Sequence, residues 1–101
     1  MATELQKAVW GKLREIPEGK VTTYALLAKA VGKPEAVRAV ASAVGKNPEL
    51  VVVPCHRVVR SDGSVGQYAQ GQDEKIQLLK KEGIEIMNAK IDLNTYKFAF
   101  K

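Results

Sequence analysis

Between Thr3 and Ile16 the apolar positions are Leu5, Ala8, Val9, Leu13 and Ile16. Their steps of three and four residues lie on one helical face. Trp10 sits beside that face, and Pro17-Glu18-Gly19 ends the pattern. Either threonine of Thr22-Thr23 can cap the next helix, whose apolar residues run Tyr24, Leu26, Leu27, Ala28 and Ala30. Val31-Gly32-Lys33 reads as a tight turn, and Pro34 as the opening of a third helix, where its missing N–H does no harm. Val37, Val40, Ala41 and Val44 then recur at i, i+3, i+4 and i+7, which predicts the buried stripe of that helix. Its outward face holds Arg38, Ala39, Ser42 and Lys46; Gly45 ends it and Asn47-Pro48 makes a turn.

The second half changes pattern. An apolar run from Leu50 to Val53 stops at Pro54, which cannot donate to a ladder and tends to end a strand. Asp62-Gly63, set between Val58-Val59 and Val65, reads as the turn of a small β-hairpin. Gly66 to Gly71 is a loop with one aromatic, Tyr68. A helix is predicted from Asp73 to Glu82, with Gly83 as its stop. Beyond it, Ile84, Ile86, Ile91, Leu93, Tyr96, Phe98 and Phe100 fall largely on alternate residues, which predicts an extended tail over 84–101. The predicted fold is mostly α with a small β-hairpin. Two short helices around a glycine turn look like a helix-turn-helix, and a hairpin after them makes the domain winged-helix-like. A helical hairpin with an ordinary solvated face fits the same two helices equally well.

At 101 residues the chain is read as one domain, 1–101. Sixteen Lys and Arg against eleven Asp and Glu give a formal charge of +5, a basic excess that suits an anionic partner. A single cysteine excludes an internal disulfide and a multi-cysteine zinc site, and a free thiol fits a reducing compartment. With no apolar run near 18 residues and no signal-peptide layout at Met1, the expectation is a soluble protein of the cytoplasm (or of the nucleus in a eukaryote), without membrane contact.

That cysteine stands next to the only histidine, in Pro54-Cys55-His56-Arg57-Val58. Just past the end of an apolar segment, a thiol can be presented to a pocket. It reacts as thiolate, and an imidazole can take its proton directly or through one water. A lone cysteine in an apolar stretch is more often a small buried hydrophobe; the dipeptide by itself favours that reading.

The rest of the chain reverses the balance. Pro54-Cys55-His56-Arg57-Val58 occurs together with Gly19-Lys20-Val21-Thr22-Thr23-Tyr24, Arg38-Ala39-Val40, Asn47-Pro48 and Val65-Gly66-Gln67-Tyr68. In this order and spacing the chain resembles the C-terminal, catalytic and DNA-binding domain of the O6-alkylguanine-DNA alkyltransferases, the methylated-DNA–protein-cysteine methyltransferases. The likeness runs from about Val9 to about Gly83.

The resemblance implies a role for each matched residue. Cys55 would take the alkyl group from O6 of guanine. His56 would deprotonate it through a water, oriented by Glu82. The helix of Arg38, Ala39 and Ser42 would enter the minor groove, with Arg38 filling the gap left by the extruded nucleotide. Tyr24 would crowd a phosphate and hydrogen-bond the flipped base at N3. The carbonyls of Cys55 and Val58 would hold the exocyclic amine, while Tyr68 and the N–H of Ala69 face O6. Asn47 would tie its turn to the loop of Cys55. The implied partner is double-stranded DNA carrying O6-alkylguanine, met by a monomer with no cofactor and no metal. Burial of the alkylated oxygen in the stack requires the base to be taken out, at a cost of a few kcal/mol. A thioether product with no second thiol to resolve it implies a protein that acts once.

The chain also departs from that pattern. The family usually carries an N-terminal domain. Gln70 stands where a small residue is frequent, Ala41 and Ser42 stand where glycine is frequent, and the tail after Gly83 lies outside the resemblance. Without an N-terminal domain the chain also resembles the alkyltransferase-like proteins, which bind alkylated guanine but carry tryptophan or alanine in place of the cysteine. Cys55 ranks the transferase first. A winged-helix regulator with an inert cysteine is a third reading; against it, Arg38 is the one long base-reading side chain on the groove-facing helix.

Overall fold

The structure, a computed structural model, describes residues 2–47, 49, 53–68 and 70–100. Helix α1 spans Glu4–Leu13 and starts at a capping box: the Thr3 hydroxyl accepts from the Gln6 N–H, and the Gln6 side chain accepts from the Thr3 N–H, both at 3.0 Å. Val9 and Leu13 are buried. The chain then tightens, and Ile16, whose N–H bonds the Leu13 carbonyl, reaches the core from a turn rather than from the helix.

Strand β1 is Thr22–Thr23, and α2 follows directly as Tyr24–Ala30. Thr23 does the capping: its hydroxyl accepts from the Leu26 N–H at 3.1 Å. Helix α3 is Val37–Gly45. It does not begin at Pro34. The Lys33 N–H turns back to the Ala28 carbonyl and the Ala36 N–H to that of Lys33, so 34–36 form a turn. The link between α2 and α3 is thus 31–36, twice the predicted length, although the two helices do pack together. Val40, Ala43 and Val44 carry the buried stripe, while Val37 and Ala41 are only half-buried.

A single 3-10 turn, Cys55–Arg57, leads into strand β2, Val58–Val59. Here the hairpin expectation is corrected. The Asp62-Gly63 turn forms, closed by Arg60 N–H to the Ser64 carbonyl at 2.9 Å, and Asp62 accepts from both Ser64 donors. Beyond that bond, Val58-Val59 and Val65 do not pair with each other. Val58 and Val59 pair in parallel with Thr22 and Thr23, and Ser64 bridges to Lys90. Among the described residues the sheet is therefore two parallel strands, and the fold is mostly helical.

Helix α4 is Gln72–Lys81, and Gly83, at φ +88, turns the chain out of it. The tail differs from the extended segment predicted. Met87–Lys90 is a reverse turn, and Leu93–Tyr96 is a short helix α5, capped by Asp92. The next residues lie alongside β1: Val21 N–H bonds the Tyr96 carbonyl at 2.9 Å, and Phe98 N–H bonds the Val21 carbonyl at 2.7 Å. The alternation of apolar residues was real, but single bridges and a helical turn use it.

Two apolar clusters result. One joins Val9, Leu13, Leu27, Val40 and Val44 to Val53, Cys55 and Val58, with Phe98 and Phe100 of the tail against it. The other gathers Val21, Val59, Val65, Leu79, Ile84 and Ile91. The tail closes both, and it meets the loop after β2 at Gly63, whose carbonyl accepts from the Ile91 N–H at 2.8 Å. At φ +88, a Cβ on Gly63 would stand 2.6 Å from the Ile91 carbonyl oxygen, so glycine is required there. No helix among the described residues is long and apolar enough to cross a membrane.

Candidate active site

The parallel pairing of β1 with β2 sets the site. Thr23 pairs with Val59, so Tyr24, the first residue of α2, is held beside the turn that carries Cys55. With α3 and the loop at Gln67-Tyr68 they enclose a pocket of about 500 Å³. Tyr24, Arg38, Cys55 and Tyr68, four residues singled out in the sequence, all line it. So do Val37, Ala41 and Val44 of α3, which explains why the first two are not fully buried.

Behind the pocket lies a charged cluster. His56 is fully buried, and its Nε2 stands 2.7 Å from Glu82 Oε2. Glu82, just past the end of α4, is held on every side: Arg57 Nε and Nη2 donate to its two oxygens at 2.9 and 2.8 Å, and the Gly19 N–H donates to Oε1 at 3.3 Å. Arg57 Nη1 reaches the Ile16 carbonyl at 2.7 Å. Burial works against the Glu82 carboxylate, but hydrogen bonds from Arg57 and His56 outweigh it and hold the carboxyl below its usual range. Burial pushes the His56 imidazole down, against the pull of Glu82. An ionised carboxylate only accepts, so the proton of neutral His56 sits on Nε2 and Nδ1 is the basic nitrogen. Nδ1 is buried and has no hydrogen-bond partner among the described residues.

Cys55 is buried in the pocket wall and not bonded directly to His56 among the described contacts. Burial pushes its thiol up, partly offset by the Asn47 amide and the charge of Lys75. Burial likewise raises the hydroxyls of Tyr24 and Tyr68, so both stand as neutral donors. Tyr68 meets the His56 ring edge-on, centroids 6.5 Å apart. The Asn47 amide donates to the Val53 carbonyl and its oxygen accepts from the Glu49 N–H, joining the end of α3 to the chain entering Cys55.

Lys75 is the residue that sequence reasoning missed. It is fully buried on α4, and its ammonium donates to the Val58 carbonyl at 2.6 Å and the Gln67 carbonyl at 3.2 Å. It thereby fixes β2 to the Tyr68 loop. Burial pulls its pKa down to about 8. The carbonyls of Cys55 and Val58 each already accept one hydrogen bond, from the Val58 N–H and from Lys75; a carbonyl has a second lone pair for a ligand. Val58 is buried behind the pocket wall. Ala39 and Ser42 are exposed on the outer face of α3, outside the pocket. Ala69 lies outside the described residues. No cluster of His, Cys, Asp and Glu suited to a metal occurs among the described residues.

Comparison with known proteins places this arrangement. The chain is 51% identical over 81 residues to the methylated-DNA–protein-cysteine methyltransferase of Methanosarcina acetivorans, covering 80% of this chain and 52% of that protein. It is 45% identical over 95 residues to the bifunctional methyltransferase/endonuclease of Picrophilus torridus, covering 94% of this chain and 32% of that one. The chain thus spans from about a third to about half the length of these two curated relatives. Among solved structures, Schizosaccharomyces pombe Atl1, bound to damaged DNA containing O6-carboxymethylguanine, superposes with a TM-score of 0.86 at 33% identity, covering 99% of this chain and 100% of that one. The DNA complex of Mycobacterium tuberculosis OGT superposes with a TM-score of 0.79 at 40% identity over 81% of this chain and 51% of that one. Residues 4–84 match the family described as 6-O-methylguanine DNA methyltransferase, DNA binding domain, and the chain belongs to that family.

Proposed function

We propose that the chain repairs duplex DNA by moving an alkyl group from O6 of guanine to Cys55, once per molecule. The observation that carries this reading is the placement of the Cys55 thiol in a pocket wall with Tyr24, Arg38 and Tyr68, backed by His56, Glu82 and Arg57. A flipped base enters the pocket. The Cys55 proton passes through a water to His56 Nδ1, and the thiolate attacks the alkyl carbon. The S–C bond forms as the C–O bond breaks, and the electron pair goes to guanine, which takes up a proton. Hydroxyls of Tyr24 and Tyr68 are the available donors for that developing charge, with the Tyr24 hydroxyl assigned to N3 and Tyr68 with the Ala69 N–H to O6. The exocyclic amine is assigned to the free lone pairs of the Cys55 and Val58 carbonyls. Arg38 fills the space the nucleotide leaves in the stack, and the small Ala39 and Ser42 let α3 approach the minor groove closely. The protein acts as a monomer.

The second reading is a damage-binding protein that recognises O6-alkylguanine without transfer. The alignment of the chain with the whole of S. pombe Atl1 favours it; the presence of Cys55 favours transfer. Incubation with excess duplex DNA holding O6-methylguanine separates them. Transfer predicts one added methyl per protein, mapped to the peptide of Cys55, and a plateau at one equivalent. Tight lesion binding with no change of mass supports the second reading. Repeated turnover with unmodified Cys55 removes Cys55 as the terminal acceptor.

A further inference from the structure

Arg60 has no part in the chemistry just described, yet its side chain lines the same pocket as Cys55. Its backbone is fixed on both sides: β2 ends at Val59, and Arg60 closes the Asp62-Gly63 turn through its N–H and its carbonyl. The exposed side chain folds back across Gly66, where a built Cβ would find Arg60 Cγ at 3.6 Å, Arg60 Nε at 3.8 Å and the Lys75 ammonium at 3.8 Å. Those are ordinary van der Waals distances, so Arg60 lies packed along this backbone, and φ +80 favours glycine at 66. The guanidinium makes no hydrogen bond or ion pair to a described residue, in contrast to Arg57, whose donors are taken up by Glu82 and Ile16. The pocket lining contains no carboxylate: its charged members are Arg38, from α3, and Arg60, from the opposite wall.

Two arginines on one acid-free pocket, one of them preorganised over glycine and unpaired, make a site for an anion. The guanidinium fork matches a phosphate in two-point geometry. A nucleotide turned into this pocket brings its own flanking phosphates to the rim. Resting on the function proposed above, we propose that Arg60 is a phosphate clamp for the extruded nucleotide, gripping one of the two phosphates that flank the lesion. Arg38 and Arg60 thereby divide the work: Arg38 stands in the stack, and Arg60 holds the displaced strand at the mouth of the pocket. Because the duplex in its closed form does not offer that phosphate to the pocket, the grip favours the flipped state.

The test is a cycle between Arg60→Gln and single uncharged methylphosphonates placed 5′ or 3′ to O6-methylguanine. Single-turnover transfer is measured at protein concentrations below saturation. Arg60→Gln slows transfer about tenfold on ordinary DNA and lowers the salt slope by about 1, with Arg60→Lys recovering part of the loss. At one of the two positions the methylphosphonate slows the wild-type protein by a similar factor and leaves Arg60→Gln nearly unchanged, which is the coupling a direct contact requires. Losses that simply multiply at both positions, or a variant equal to wild type, overturn the clamp while leaving the function in place. A wild-type protein indifferent to the lesion overturns both. Arg60 is exposed, so melting temperatures within a few degrees of wild type are expected for both variants.

Discussion

Glu82 Oε2 receives both Arg57 Nη2, at 2.8 Å, and His56 Nε2, at 2.7 Å, so one carboxylate oxygen serves the structural arginine and the candidate base together. The histidine is positioned by an ion pair whose arginine is the next residue in the chain. Glu82→Gln replaces one acceptor with a donor facing donors. Removing one partner of a buried pair costs about 3–5 kcal/mol. The expected result is a loss near 3 kcal/mol in urea unfolding, since Arg57 keeps some exposure, together with slowed transfer. A variant with unchanged stability would mean that the pair is not a support of the fold.

Acidification should act through the same cluster. Burial holds the folded-state pKa of His56 below the ordinary imidazole value, so from there downward the unfolded chain binds more protons and stability falls. Glu82 is held below the ordinary carboxylate range, and its contribution is lost as pH falls further, through its folded pKa. Both effects have the same sign. Urea midpoints should therefore decline between pH 7 and pH 5 and more steeply below. Transfer should fall only at lower pH, as the folded-state imidazole itself takes a proton below its ordinary range, because protonated Nδ1 cannot accept. A flat stability profile from pH 7 to pH 5 would contradict a buried neutral imidazole.

Arg38 is exposed on α3 and lines the pocket mouth. If it occupies the vacated stack, Arg38→Ala should weaken lesion repair much more than binding to undamaged duplex, since stacking belongs to the flipped state and a phosphate contact to both. Equal losses on damaged and undamaged DNA would make Arg38 an ordinary phosphate contact.

Gly63→Ala probes the seam between tail and loop. The added carbon would meet the Ile91 carbonyl at 2.6 Å, in a backbone conformation alanine avoids. Overpacking of this kind costs about 1–3 kcal/mol. In a domain of about 100 residues each kcal/mol moves the melting temperature by roughly 4–8 °C, so the effect is easily read by calorimetry. An unchanged melting temperature would show that the tail can step aside.

What the sequence conveyed and what it withheld follow from the range of the forces involved. Helical spacing and local caps are short-range signals, and they located α1, α2 and α4 to within a few residues, with Thr23 and Gly83 at their boundaries. Asp62-Gly63 correctly marked a turn, but Val58-Val59 finds its partners more than thirty residues away at Thr22-Thr23, which no local pattern announces. Pro34 was read as a helix start because its ring permits one; the Lys33–Ala28 bond closes a turn there instead. Val37 and Ala41 match a core pattern because the pocket they line needs the same apolar surface as a core. Lys75 was invisible because a lysine in a charged helix reads as solvated, and its burial depends on two carbonyls from distant loops. Pro54-Cys55-His56-Arg57-Val58 is the opposite case: the resemblance it carries names Tyr24, Arg38, Cys55 and Tyr68, which line one pocket, whereas Val58 lies outside the lining and Ala69 outside the described residues.

Helix α3 is held unevenly. At its far end the Trp10 indole donates to the Ala43 carbonyl at 2.9 Å, and Asn47 ties the following turn to Val53. At its near end Ala36 offers no side chain to cap the first N–H groups, and no acidic residue sits in the first turn. Behind the pocket β1 and β2 are joined by their ladder, so the uncapped start of α3 is the less firmly held side of the pocket. That end carries Val37 and Arg38. On the proposed transfer, bulkier adducts would be admitted by an outward shift of this end, which would carry Arg38 away from the duplex. Tolerance for large alkyl groups and strength of strand opening would then trade against each other in this fold.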